Sequence, residues 1–196
     1  MNNNRRTVLL VSAVLVAGLM QGCATRIKAS STDNPAPAKP FSAYSRIDLK
    51  PVVFKTGYKG DAAGLAKIEE NLKKDLAPKL EQWNSRADNG STLVAEPVVE
   101  EMSYKHGAKR VLLGPLAGGS GVLMRVTFRD NKGNVVAAPE FFQRTAAFSG
   151  GFTMGVMDNV MLTRVANLAS GYIIANYDKA VGGPTGADDK AVVAAN

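Results

Sequence analysis

The chain of 196 residues contains one cysteine, one histidine and one tryptophan. A single thiol allows no disulfide within the chain, so an exported form of this protein would have to rest on packing alone. The lone histidine, His106, excludes any metal site built on several imidazoles, and its neighbours Lys105, Lys109 and Arg110 offer it no counter-charge. No G-x-S-x-G elbow is present, because Ser120 sits in Gly-Ser-Gly-Val ahead of an apolar alternation rather than a helix. The glycine-rich run Gly114 to Gly121 fails the phosphate-loop pattern, since it holds no lysine and leads into a strand. Acidic residues are fewer than basic ones, 17 against 24, for a net charge of +7. That balance permits contact with anionic headgroups or cell-wall polymers without selecting a partner.

Long hydrophobic runs are also missing, with one exception at the start. Arg5-Arg6 precede a nearly unbroken apolar stretch from Val8 to Met20, which stops at Gln21-Gly22. A basic head, a short apolar run and a small residue at its end are the parts of a secretory signal; a membrane-spanning helix would need about 20 apolar residues. Residues 1–22 are therefore expected to be a signal peptide. The next residue is Cys23, the only thiol, and Leu19-Met20-Gln21-Gly22-Cys23 resembles the bacterial lipoprotein box, with Met20 and Gln21 departing from it. The resemblance implies lipidation of Cys23, which removes the thiol from any Cys–His chemistry. Two or more acyl chains, at about 0.8 kcal/mol per buried CH₂, hold a protein to a membrane stably. Ala24, by the same resemblance, implies sorting to the outer membrane, with the domain facing the periplasm. Export also argues against nucleic acid as a partner.

Residues 23–42 are rich in proline and serine and show no hydrophobic period, so they are expected to form a semi-extended tether reaching on the order of 50 Å. One domain is expected over 43–178, followed by a disordered tail over 179–196 that is rich in Gly, Ala and Asp. Within the domain, Tyr44 to Phe54 alternates as a strand that Pro51 breaks or turns into an edge. Leu65, Ile68, Leu72, Leu76, Leu80 and Trp83 form the apolar stripe of a helix beginning at Asp61, with Pro78 expected to kink or restart it. Thr92 to Tyr104 is a densely apolar strand in which Pro97 calls for a bulge or an edge. Val122 to Phe128 alternates cleanly, Arg129 to Asn134 supplies a hairpin turn, and Val135 to Phe148 returns whole or split at Pro139. A last helix runs from about Met154 to Tyr177, with Gly171 expected where it packs closely on the sheet.

The expected fold is thus α/β in the α+β sense. A mostly antiparallel sheet of four or five strands carries two long helices on one face, in the order β-α-β-β-β(-β)-α.

Carboxylate pairs do not assemble a catalytic site. Glu100 and Glu101 are adjacent on a strand and expected on opposite faces, Glu69-Glu70 lies among lysines, and Asp158 suits a helix start. No catalytic residue, metal or diffusible cofactor is expected. Beside the basic Lys109-Arg110, the residues Leu112, Leu113, Pro115 and Leu116 would form an apolar tip suited to a lipid surface or a protein groove.

Arg110-Val-Leu-Leu-Gly114-Pro-Leu-Ala117-Gly118-Gly-Ser-Gly121, then Val122-Leu-Met-Arg-Val126 and Asp130-Asn-Lys-Gly133, resembles a group of bacterial lipoproteins catalogued as domain of unknown function number four thousand four hundred and ten. Leu93-Val-Ala-Glu-Pro97-Val-Val echoes a strand that the group also carries. The resemblance implies an envelope lipoprotein with a small α/β domain and no established activity. The expected function is that of a non-catalytic interaction or scaffold module, partnered by an envelope protein or peptidoglycan. A small-ligand carrier or transport accessory is the competing class; it would need an apolar pocket lined by Met124, Phe128, Phe148 and Met161.

Overall fold

Alternation and helical period mature into eleven short and long elements, seen in a computed structural model that describes residues 27–103, 120–145 and 156–190, with side chains of the last stretch from residue 159. In chain order these are β1 (Asp33–Asn34), a 3-10 turn (Phe41–Ala43), β2 (Arg46–Leu49), β3 (Val53–Phe54), α1 (Ala62–Asn84), β4 (Thr92–Ser103), β5 (Gly121–Asp130), β6 (Val135–Ala137), β7 (Glu140–Arg144), α2 (Val156–Asp178) and β8 (Gly183–Pro184). The class is α+β, as the sequence implied. The main sheet has six strands, and a separate two-stranded sheet pairs β1 with β8.

Proline sets the sheet's outline. Pro51 ends β2, and Pro139 separates β6 from β7. Both β2 and β3 run parallel to β4, while β5 is antiparallel to β4, β6 and β7. The sheet is therefore more mixed than the expected antiparallel one, because α1 supplies the crossover that parallel pairing needs. Pro97 lies inside the central strand β4, at neither an edge nor a bulge. It falls in the gap between the β2 pairing, which reaches Ala95, and the β3 pairing, which starts at Val98. On its other side it faces Val126, whose own N–H turns away to Pro139 O at 3.0 Å. An N–H at residue 97 would therefore have pointed at the gap, and its loss costs no ladder bond.

The bulge lies two residues further on, between Val99 and Glu101. It places Glu101 opposite Leu123 and lets Glu100 bond Arg125, so both carboxylates come to the face away from the helices. The expectation of opposite faces fails here because an inserted residue shifts the period of two.

Asp61 caps α1, its side chain accepting from Gly64 N at 2.7 Å. The stripe Ile68, Leu72, Leu76 and Trp83 is buried against the sheet and α2. The helix runs unbroken through Pro78. Pro78 and Lys74 are both on its exposed side, where water can reach the carbonyl that the proline leaves unbonded. Helix α2 contributes Met161, Leu162, Val165, Ala169, Tyr172 and Ile173 to the same core. Gly171 is exposed, with no heavy atom within 4 Å of where a Cβ would stand, so it makes no close approach to the sheet.

The largest departure from expectation is at the two ends of the chain. Residues 27–40 are folded onto the sheet and residues 181–187 pair with them, where a tether and a disordered tail were expected. Their bonding is carried by backbone and small polar groups, which leave no hydrophobic period to read.

Candidate functional site

From residue 27 the chain becomes a strap across the sheet. Ile27 and Ala29 lie over Leu123 and Phe142 on the face opposite the helices, with Ala187 completing the cluster. Ser30 then fixes the strap to β7, its N–H and Oγ donating to Glu140 Oε2 at 2.9 and 2.7 Å. The other Glu140 oxygen accepts from Arg125 Nη2, and Arg125 Nε donates to Glu100 Oε1 at 2.7 Å. Burial alone would raise the Glu140 pKa. The Ser30 bonds and the Arg125 charge outweigh it and hold the carboxyl below the ordinary range. Glu100 in turn holds the Arg125 guanidinium above its ordinary value. This cluster ties four segments together: the strap, β7, β5 and β4.

Asn34 continues the attachment by imitating a strand. Its Nδ2 donates to Glu140 O and its Oδ1 accepts from Glu140 N, both at 2.8 Å. Thr185 serves β8 in the same way: its N–H donates to Thr32 O and its carbonyl accepts from Phe142 N, each at 2.8 Å. Further along, Ala38 N donates to Val136 O at 3.3 Å. The outer edge of β6 and β7 is thereby covered by the two chain ends, which removes a surface for strand addition.

Helix α2 delivers the C-terminal segment to this edge. The buried Asn176 accepts from Val181 N and Gly182 N, both at 2.8 Å, and donates to Gly182 O and Tyr172 O. All four of its bonding positions are used. Gly182 and Gly186 both have positive φ, and a Cβ at either would stand 2.5 Å from a backbone oxygen, of Asn34 and Phe142 respectively. Only glycine fits such a crossing. The Tyr172 hydroxyl donates to Pro35 O at 2.9 Å, and burial pushes its pKa up to about 12.

The residues singled out in the sequence fare differently. Cys23, His106, Lys109, Arg110, Leu112, Leu113, Pro115 and Leu116 lie outside the described residues. At the foot of that segment, Thr145 N donates to Ser120 O at 2.9 Å and Ser120 N donates to Thr145 Oγ1 at 3.0 Å. Asp130 and Gly133 form a plain turn, with Gly133 at φ +82° and Asp130 accepting from the amides of Lys132 and Asn134. The space that a carrier would use is filled: Phe128 stacks on Phe41 at 4.6 Å and Tyr172 packs against both, while Met124 and Met161 are fully buried. Phe148, the fourth residue of that pocket, lies outside the described residues. A small groove of about 190 Å³ runs instead between β2 and α1, with Ile47, Leu72 and Leu80 among its lining and the charged Asp48, Lys50, Glu69 and Lys73 beside them. Among the described residues no group of three or more His, Cys, Asp or Glu could hold a metal ion, and no helix is long and apolar enough to cross a membrane.

Sequence reasoning missed Ser30, Asn34, Glu140, Asn176 and Thr185. The signals available were the paired glycines ahead of Pro184 and the polar residues flanking Pro35, which read as loop rather than as clasp.

No family model matches the chain, and no curated protein matches it. Solved structures similar to it include the PelC dodecamer from Paraburkholderia phytofirmans, at 15% identity and TM-score 0.42, covering 75% of this chain and 95% of that one. A single-substitution variant of that dodecamer is similar at 15% identity and TM-score 0.40, covering 68% and 90%. At these values the likeness carries no function across.

Proposed function

We propose that this chain is a lipoprotein anchored to the outer membrane through Cys23, whose domain faces the periplasm and serves as a non-catalytic interaction or scaffold module of the envelope. The observation that supports it is the strap. From residue 27, four positions beyond Cys23, the chain is folded onto the sheet, so a lipid on Cys23 would be joined closely to the domain. A carrier role is disfavoured by the aromatic packing of Phe41, Phe128 and Tyr172, which fills the space between the sheet and α2.

In cells, the Cys23→Ser variant is expected to move from the membrane fraction to the soluble periplasmic fraction while keeping its fold. Retention of that variant in the membrane fraction would overturn the anchor. Crosslinking of the wild-type protein in intact cells then identifies the envelope protein or cell-wall polymer that it meets.

A further inference from the structure

The path of the strap fixes which end of the domain leads to Cys23. Asn34 sits at the start of β7, bonded to Glu140, and Ser30 holds the Glu140 carboxylate. Ala29 and Ile27 lie over Phe142 and Leu123. Read backward, the chain therefore advances along β7 from Glu140 toward Arg144, which pairs with Gly121 at the start of β5. The opposite end of β5 is the turn from Asp130 to Asn134. With β5 running from Gly121 to Asp130 at about 3.4 Å per residue, the two ends stand about 30 Å apart.

The leash is short. Cys23 lies six positions before Ala29 in the sequence, and Ala29 is only 7% exposed. Six residues reach about 20 Å even when fully extended. We propose that the Gly121–Arg144 end of the sheet is apposed to the phospholipid headgroups of a bilayer, within about 20 Å of them, and that the Asp130–Asn134 turn points away. The inference rests on the lipidation of Cys23 proposed above.

Lys28 and Arg144 are exposed at the near end, where cations meet anionic headgroups favourably. Glu100 and Glu101 share that face, Glu100 bound to Arg125, and Asp189 accepts from Gln143 Nε2 beside it. At the far end Asp88 and Asp130 are both held below the ordinary carboxylate range, Asp88 chiefly by its bond from Arg46 and Asp130 chiefly by its bond from Asn134. Arg46 and Lys132 accompany them, so the far end is near neutral. The leash sets the orientation.

A distance measurement on the lipidated protein tests this. With Cys23 carrying lipid, a cysteine introduced elsewhere is the only free thiol, and both Arg144 and Lys132 are exposed positions. Arg144→Cys and Lys132→Cys variants, each labelled with a donor dye, are placed in phosphatidylethanolamine–phosphatidylglycerol vesicles that carry acceptor dye on the headgroups. Energy transfer is expected to be several-fold more efficient from position 144 than from position 132. Equal transfer from the two positions, or the reverse order, would overturn the orientation. Failure of the protein to float with the vesicles, or a mature mass without acyl chains, would instead overturn the anchor, so the two failures are told apart.

Discussion

At the residue scale, glycine has opposite meanings at three positions. Gly171 stands on the open side of α2 with free space around it, so Gly171→Ala is expected to stabilise the protein by about 1 kcal/mol. A thermal-melt shift upward checks it. Gly182 and Gly186 take positive φ against backbone oxygens, so alanine there adds both strain and a clash. Gly186→Ala is expected to cost about 1–3 kcal/mol, seen as a lower urea midpoint. Sequence alone could not separate these cases. Gly171 lies within a helical period and invites a packing role, whereas Gly182 and Gly186 lie in a stretch without period and look dispensable.

Elements show where legibility in the sequence came from. Helix α1 was readable down to its cap, because Asp61 precedes a stripe whose burial the period of 3.6 forces. The breaks at Pro51 and Pro139 were readable because proline cannot donate to a ladder. The strap and β8 were not. Strands of two residues are too short to alternate, and their attachment is made by asparagine, threonine and serine bonds. The same device closes the far edge, where the Asn84 amide bonds both Ile47 N and Ile47 O.

The strap's dependence on pH follows from Glu140. Its folded pKa lies below the reference value of 4.5, so its contribution is fully present above that value. The contribution is lost as pH falls through the folded pKa. Stability is therefore expected to fall as pH drops below about 4.5 and on through the lowered folded pKa. Glu140→Gln should lower stability at neutral pH by about 1–2 kcal/mol and flatten that part of the acid limb. Urea midpoints measured across the range would show whether the two curves converge at low pH, as expected, or stay parallel.

For the whole molecule, the central claim is that residues 27–40 and 181–187 belong to the fold, so that a lipid on Cys23 would be joined to a rigid body by a short leash. A long free tether would leave the domain free to turn in any direction; a strap bonded to Glu140 and covered by β8 does not. The anchor proposed at Cys23 rests on a box of five residues, while the shortness of its leash came only from the folded strap. Amide hydrogen exchange on the full chain tests this claim most directly. The amides of Ser30 and Thr185 are bonded to Glu140 and Thr32, and are expected to exchange orders of magnitude more slowly than an unfolded peptide, in step with Phe142. Exchange of Ser30 and Thr185 at unprotected rates, with Phe142 still protected, would contradict it.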